Sequence, residues 1–371
     1  MKKNAAIAIV GGGLVGPMTE LLLRRAGFTN VTTYEAAPAT SSRGGGLIGL
    51  EASAYPVLAE AGIPLGEIDA LQTSEIDVYN MDPRGIGDVS ERFTYNGINT
   101  TWDLFHAAIA RRVAIHYGQR VTNLSANGKR AVLSFKDGTT KNADLVIFAD
   151  GKGSVGRTLL DSERLPDYQG YVVWRGLTKP PEPLPRCFAR YCDKSTGVLV
   201  AVSSPIRQGQ SAGLCDWALY ENMPAERFKR LAGDMPQRRP YIFPRQVTTD
   251  LRRHFEHYAR GSLPPFLADA LTKTPDVSLV PINDMPAPDQ AVWRKGKAGV
   301  VLLGDALMSV RPHTGRGLNN GLEQALQLVH QLSSSPVGKA FEAWQKETTG
   351  PLGAWITLGK QRGADFGLGV N

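Results

Sequence analysis

Cysteine is scarce in this chain: three in 371 residues, at Cys187, Cys192 and Cys215. Three thiols cannot build a disulfide framework for a protein of this length, so a reducing compartment is expected. Cys187 and Cys192 lack the CxxC and histidine spacing of a zinc site, and no metal centre is expected. Long apolar runs are missing too. No segment approaches the ~18 residues that would read as a spanning helix. The one imitation of a leader is Lys2-Lys3 before apolar Ala5 to Val10. Three consecutive glycines and Glu20 interrupt it, with no small-residue cleavage site in place. A cytoplasmic protein with no membrane partner is the expectation. Blocks of one charge are also absent. The net charge is +7, yet the basic residues gather only in pairs such as Arg111-Arg112, Arg238-Arg239 and Arg252-Arg253. Dispersed positive charge argues against nucleic acid and suits a small anionic ligand. Neither a Ser-His-Asp set nor an internal repeat is visible.

What the chain has in quantity is glycine, 40 residues, placed where strands give way to helices. Ala5 to Val10 is a short apolar run rich in β-branched residues, which reads as a buried parallel strand. Leu14 to Ala26 carries Leu14, Met18, Leu21, Leu22 and Ala26 at helical spacing, and Val31 to Glu35 returns as a strand. Between strand and helix lies Gly11-x-Gly13-x-x-Gly16. Gly11 allows a tight turn, Gly13 lets backbone approach a pyrophosphate, and Gly16 lets helix pack on strand. Leu14 and Val15 open the helix whose N–H groups would meet that anion. Glu35 follows the last glycine at the distance where an acid can bind ribose hydroxyls. This pattern predicts a dinucleotide without separating NAD from FAD.

Two further strand ends carry acids. Leu145 to Ala149 is an apolar strand followed by Asp150-Gly151-x-Gly153-Ser154-x-x-Arg157, which could hold a nucleotide or its pyrophosphate. Val300 to Leu303 is another, followed by Gly304-Asp305-Ala306 and then Arg311-Pro312-His313-Thr314-Gly315-Arg316-Gly317 before a helix near Leu318. A carboxylate at a strand end, facing a helix N-terminus, suits a polyhydroxylated anionic cofactor. Two distant segments that suit one cofactor point to a flavin nucleotide.

Elsewhere, Tyr55 to Ala61 and Asp103 to Val113 read as helices, and Lys136-Asp137-Gly138 as a hairpin turn. From about Pro166 to Pro281 the α/β rhythm disappears. Val172 to Trp174 and Val198 to Val202 read as strands of an antiparallel sheet, and Phe228 to Ala232 and Leu263 to Leu271 as helices. The last third returns to the opening style with the helix Leu318 to Leu332.

Together the three strand-end motifs resemble the FAD-dependent aromatic hydroxylases of the p-hydroxybenzoate hydroxylase type, the class A flavoprotein monooxygenases, over nearly the whole chain. Tyr171-Val-Val-Trp174-Arg175-Gly176, Trp217-Ala-Leu-Tyr220 and Arg311-Pro312-His313-x-x-x-Gly317 look like the branch that contains 2,6-dihydroxypyridine 3-hydroxylase. The resemblance implies an α/β fold: a Rossmann-like FAD-binding domain of the GR2 type with an inserted substrate domain on a mainly antiparallel sheet plus helices. The expected boundaries are 1–73, 100–165 and 282–371 for the first, and 74–99 and 166–281 for the second. It implies FAD as cofactor, NADPH or NADH as transient donor, O2, and a small aromatic or heteroaromatic substrate, in a monomer or homodimer. Oxygen would reach the ring through a flavin C4a-hydroperoxide.

The residues implied for FAD are Gly11, Gly13, Leu14, Val15, Gly16, Glu35, Asp150, Gly304, Asp305, Gly315, Gly317 and Leu318. Gly44, in the run Gly44-Gly45-Gly46, belongs to a loop beside the flavin ring. The family's arginine before the helix near Asp103 is replaced here by Thr101-Trp102, so Arg43 or Arg111 is the candidate for its role. Pro312, His313 and Tyr220 are the catalytic candidates, His313 as base and Tyr220 as substrate contact. Leu47, Tyr171, Trp174 and Arg175 complete the expected substrate wall. Two alternatives share the fold: a flavin oxidoreductase without oxygen insertion, such as a reductase or oxidative decarboxylase, and a non-redox FAD-binding protein. A halogenase would need a Trp-x-Trp-x-Ile segment, which is missing.

Overall fold

The computed structural model describes residues 1–39, 46–71, 75–185 and 187–369. From the N-terminus, β1 (Ile7–Val10), α1 (Val15–Arg25) and β2 (Val31–Tyr34) form a βαβ unit with both strand neighbours parallel. β3 (Leu47–Glu51), α2 (Tyr55–Ala61) and α3 (Leu65–Ile68) follow. The chain then leaves through β4 (Glu75–Asp82) and β5 (Gly85–Thr94), and β6 (Gly97–Thr101) returns to pair with β3. α4 (Trp102–Ala110) and β7 (Ile115–His116) precede a meander of β8 (Val121–Asn127), β9 (Arg130–Phe135) and β10 (Thr140–Ala143). β11 (Leu145–Phe148) re-enters beside β1 and α5 (Val155–Leu160) leaves it.

The middle of the chain contributes β12 (Asp167–Thr178), β13 (Phe188–Asp193), β14 (Val198–Val202) and β15 (Cys215–Asn222). Three helices come next, α6 (Ala225–Ala232), α7 (Thr249–Ser262) and α8 (Pro265–Thr272), and then β16 (Ser278–Asp284). The chain closes with β17 (Val292–Lys295), β18 (Ala298–Leu302), α9 (Gly317–Ser334), α10 (Val337–Thr349) and α11 (Leu352–Asp365).

Two large sheets organise these elements. The first runs β17-β18-β11-β1-β2-β7, with only β17 antiparallel to its neighbour. Its central strands, IAIV, LVIF and AGVVL, are buried at every residue. That is why they read as unbroken apolar runs: a parallel strand covered on both faces has no polar side to alternate with. The second sheet runs β16-β12-β15-β14-β13-β4-β5 and is antiparallel except at the β4–β13 pair, so it is mixed. Residues 75–94 and 167–284 therefore meet in one sheet.

α6, α7 and α8 cover one face of this sheet and bury Trp174, Trp217, Phe228, Phe255 and Leu267 against it. The opposite face carries a smaller cluster of Tyr171, Val173, Leu199 and Tyr220, closed by Leu368 and Phe366 from the end of the chain. Among the described residues no helix is long and apolar enough to cross a membrane.

Candidate active site

β1, β11 and β18 are adjacent and parallel, so the turns that leave them open onto one edge of the first sheet. At the end of β1 the chain turns through Gly11 with φ 114°. A Cβ there would collide with the Ala149 carbonyl, and one at Gly16 with the Gly11 carbonyl, so both positions demand glycine. At Gly13 nothing stands within 4 Å of where a Cβ would lie. That space opens before the start of α1, where the N-cap Leu14 gives no side-chain cap and no acid occupies the first turn beginning at Val15. An anion placed there meets unsatisfied N–H groups and the positive end of the helix. Glu35, just past β2, accepts from Gly12 N–H at 2.7 Å and Ala37 N–H at 2.8 Å, which aims its carboxylate over this loop. His106 reaches the Gly12 carbonyl with Nε2 at 3.0 Å and stacks on Trp102 at 4.6 Å, so the start of α4 walls the same loop.

At the end of β18, Gly304 adopts φ 61° and donates its N–H to Gln324 Oε1 at 2.9 Å. This turns Asp305 toward the start of α9: its Oδ1 lies 3.8 Å from the position of a Cβ on Gly317. The Asp305 carboxylate forms no hydrogen bond or ion pair among the described residues. Burial pushes its pKa up, against the pull of Lys152 and Arg157. A desolvated carboxylate without a partner, facing an uncapped helix start at Gly317-Leu318, fits a hydroxyl-bearing chain that ends in an electron-rich ring. The turn itself is locked. Arg157 donates to the carbonyls of Ala306 (3.0 Å), Asp305 (3.3 Å) and Lys152. The loop from Arg311 makes a short 3-10 turn over Pro312–Thr314, and Gly315 (φ 72°) lets it re-enter as α9.

His313 in this loop is buried beside Tyr171 and Tyr220, with ring centroids at 6.4 and 6.2 Å. Its Nε2 is 2.9 Å from the Gly359 carbonyl, which requires the proton on Nε2. Nδ1 is thus a lone-pair acceptor, and it is buried with no partner. Burial, then the charges of Arg311, Arg190 and Arg362, lower the His313 pKa to about 4, so the ring is neutral at pH 7. The Tyr171 hydroxyl is likewise buried and unsatisfied; Arg311 stands beside it without reaching hydrogen-bond geometry. Burial raises the pKa of both tyrosines, which therefore remain protonated donors.

Several expected residues stand elsewhere or are otherwise engaged. Trp174 is on the far face of the second sheet: its indole is fully buried 5.2 Å from Phe255 and donates to Glu221 at 2.8 Å. It is core and not substrate wall, because alternation along β12 puts Tyr171, Val173 and Arg175 on the opposite side. Arg175 is on the correct face but pairs with Asp216 at 3.3 Å and donates to the Leu47 carbonyl at 3.2 Å. Asp216 in turn accepts from the Leu47 N–H at 3.0 Å, so the pair fastens the start of β3 to the sheet. Leu47 packs toward Ala70, Leu71 and Ile206.

Asp150 accepts from Ser154 Oγ (2.5 Å) and Val155 N–H (2.7 Å), which fastens its carboxylate to the start of α5. Arg111 binds Glu67 on α3, a site that Arg112 shares at 2.9 Å. Arg43 and Gly44 lie outside the described residues.

Other positions went unread in the sequence. His106 touches the glycine loop with Trp102 stacked on its ring, and Arg311 grips Asp284 with two bonds of 2.8 and 2.7 Å and Gln169 at 2.6 Å, tying its loop to the neighbouring ends of β16 and β12. Arg316 is held by Glu51 (2.5 Å), Glu323 (2.7 Å) and Asn320 and lies over the Trp355 ring. Most of these partners are distant in sequence; only the i, i+4 stack of Trp102 with His106 and the i, i+4 and i, i+7 contacts of Arg316 could have been read from spacing.

Two parallel-strand turns aimed at one edge, with a partnerless carboxylate at the second, define a flavin-nucleotide site of the Rossmann type, and the chain belongs to the FAD-binding domain family, whose profile matches residues 4–346. Among curated proteins it is 27% identical over 371 residues to the 2,6-dihydroxypyridine 3-monooxygenase of Paenarthrobacter nicotinovorans, covering 96% of this chain and 87% of that one. It is 27% identical over 354 residues to the 6-hydroxynicotinate 3-monooxygenase of Pseudomonas fluorescens, with 90% and 83% covered. The solved structure of 2,6-dihydroxypyridine-3-hydroxylase from Arthrobacter nicotinovorans superposes with a TM-score of 0.86 at 21% identity, covering 99% of this chain and 94% of that one.

Proposed function

We propose that this chain is a single-component FAD-dependent monooxygenase that hydroxylates a small electron-rich aromatic or heteroaromatic ring, with NAD(P)H and O2 as co-substrates. The observation that carries the reading is the buried, partnerless Nδ1 of His313, on a ring packed beside those of Tyr171 and Tyr220, in the loop that also opens α9. FAD, when bound and reduced, supplies the activation of O2. The protein supplies placement. Gly11, Gly13, Leu14, Val15, Gly16 and Glu35 would hold the adenosine end. Gly304 and Asp305 would hold the ribityl hydroxyls, and the backbone of Gly315, Gly317 and Leu318 would face the ring where negative charge gathers. His313 Nδ1 would accept the proton-bearing hydroxyl of the substrate and Tyr220 would donate to it. A hydrogen bond from that hydroxyl to Nδ1 polarises the O–H bond, which enriches the ring and makes it a better nucleophile. Pro312 fixes the loop carbonyls against the same position, and Leu47 anchors the facing strand.

The donor needs its own docking place. A cavity of about 270 Å³ beside α5 is lined by Lys152, Arg157, Arg164 and Arg238. Three buried polar atoms without partners, Arg164 Nη2, Gln237 Oε1 and Asn283 Oδ1, also belong to its wall. This cationic, unsatisfied lining suits the phosphates of NADPH or NADH. A cytoplasmic monomer or homodimer is consistent with the donor and with the three free cysteines. The test is NAD(P)H oxidation by the FAD-loaded protein across hydroxylated benzenes and pyridines. Oxidation stimulated by a ring that gains one oxygen atom supports the reading. Failure of NAD(P)H to bleach the flavin anaerobically, with every ring present, favours a non-redox FAD protein.

A further inference from the structure

The cavity beside α5 has two unlike parts. Lys152 and Arg238 line it with side chains that make no hydrogen bond or ion pair among the described residues. Arg157 lines it too, but its guanidinium is engaged by the carbonyls of Lys152, Asp305 and Ala306. The other part is made by Arg164, Gln237 and Asn283, which come from the segment after α5, the segment after α6 and strand β16.

Arg164 is the centre of this second part. Its side chain is only 7% exposed. Nε donates to Asp161 at 2.5 Å, and Nη1 to the carbonyls of Leu307 at 2.7 Å and Pro286 at 3.3 Å. Nη2 is buried and has no partner. Asn283 donates Nδ2 to the Pro236 carbonyl at 3.3 Å, so the atom left over is its acceptor, Oδ1. Gln237 also leaves an acceptor, Oε1. One cationic donor and two carbonyl oxygens are thus unsatisfied among the residues of one cavity wall. Buried polar atoms in that state are costly unless a ligand completes them.

The chemistry of the missing ligand follows from the three atoms. A phosphate would suit Arg164 but would be repelled by two carbonyl oxygens, so phosphates belong with Lys152 and Arg238. A group with one acceptor oxygen beside an NH2 satisfies all three atoms at once, and that group is a primary carboxamide. At about 270 Å³ the cavity falls just under the roughly 300 Å³ at which small-molecule sites begin, so it takes one ring and its sugar rather than a whole dinucleotide. Its position fits the reacting end of a donor. Through the Leu307 carbonyl the same guanidinium holds the turn that contains Asp305, so this wall stands against the flavin-binding turn.

We propose that Arg164, Asn283 and Gln237 form a carboxamide pocket for the nicotinamide of the electron donor. The amide oxygen accepts from Arg164 Nη2, the NH2 donates to Asn283 Oδ1 and Gln237 Oε1, and the phosphates lie on Lys152 and Arg238. This rests on the hydroxylase reading for the identity of the donor; the demand for an amide stands on the wall's own atoms.

The test is equilibrium binding to the FAD-loaded protein, followed by perturbation of the flavin absorbance, with oxidised dinucleotides as probes. NAD+ and NADP+ would be compared with their 3-acetylpyridine analogues, which carry a methyl in place of the NH2, and with ADP-ribose. The preferred amide dinucleotide should bind about tenfold or more tighter than its acetylpyridine analogue, because the analogue leaves two buried acceptors unpaired. Asn283→Leu should erase that preference and leave ADP-ribose binding unchanged. Asn283→Asp, which keeps an acceptor, should keep part of the preference, and Gln237→Leu should reduce it from a different segment. Equal flavin content and thermal midpoint establish that the variants are folded. Amide and acetylpyridine dinucleotides binding alike to wild type, or an unchanged preference in Asn283→Leu, would overturn the proposal. Weaker ADP-ribose binding in Asn283→Leu would overturn it too, by placing adenine against this wall. The two readings fail separately. An Asn283-dependent amide preference without ring oxidation spares the pocket and sinks the hydroxylase, whereas ring hydroxylation with no amide preference does the reverse.

Discussion

Replacing Asp305 by alanine separates a cofactor ligand from a structural acid, because the two roles move stability in opposite directions. In the protein without FAD, the carboxylate is desolvated and has no hydrogen-bond partner among the described residues, and burial raises its pKa. Its unfolded value is about 3.9. An acid whose folded pKa lies above its unfolded one disfavours folding once it is ionised. The FAD-free Asp305→Ala protein should therefore be as stable as wild type or more so at pH 7, and this advantage should vanish below about pH 4, where the acid is protonated in both states. With FAD the sign reverses. A hydrogen bond to a charged group contributes about 1.5–3 kcal/mol, so FAD affinity should fall roughly 10- to 150-fold. Thermal melts of the stripped and FAD-saturated proteins, with a flavin-fluorescence titration, read both limbs. Loss of stability in the FAD-free variant, or FAD affinity within twofold of wild type, would refute the assignment.

Three other substitutions probe the remaining links. His313→Gln should retain FAD but slow ring oxidation, and it should flatten the stability profile. The wild-type histidine is depressed from 6.5 to about 4, so wild type should lose up to roughly 3 kcal/mol relative to the variant as pH falls from 6.5 to 4, which parallel denaturations at several pH values would read. Trp174→Phe should cost about 1–3 kcal/mol by leaving the buried Glu221 with His254 alone, without altering ligand affinity; weaker substrate binding at unchanged stability would return Trp174 to the substrate wall. Asp216→Asn should destabilise by about 1–3 kcal/mol, because Arg175 loses its carboxylate in a partly exposed pair, and should raise KM more than it lowers kcat as the start of β3 loosens.

The first sheet was legible because its strands are buried on both faces, so β1, β11 and β18 announce themselves as short apolar runs that lead into glycine, with an aspartate beside it after β11 and β18. The glycine loop was legible for a related reason: steric demands at Gly11 and Gly16 leave no other residue type. α7 was not read. Its apolar face is only Leu251, Phe255 and Ala259, interleaved with arginines and histidines, whereas α8 beyond Pro264-Pro265 was read as the helix Leu263 to Leu271.

The misplacement of Trp174 has a different origin. Period-two alternation tells which residues share a face but not which face meets the site; packing of α6–α8 against the sheet decided that. Asp150 and Asp305 look alike as strand-end acids, yet Ser154, one turn on, captures Asp150 as a helix cap while Asp305 has no such neighbour.

The account's central claim is that this site places an electron-rich ring where bound, reduced FAD can deliver oxygen to it. The most direct measurement is turnover with NAD(P)H under isotope-labelled dioxygen, followed by mass spectrometry of the ring product. The expected result is one labelled oxygen atom in the product and NAD(P)H consumption that rises with that substrate. NAD(P)H consumption that yields only hydrogen peroxide with every hydroxylated acid and neutral ring, or a product whose new oxygen comes from water, would contradict it.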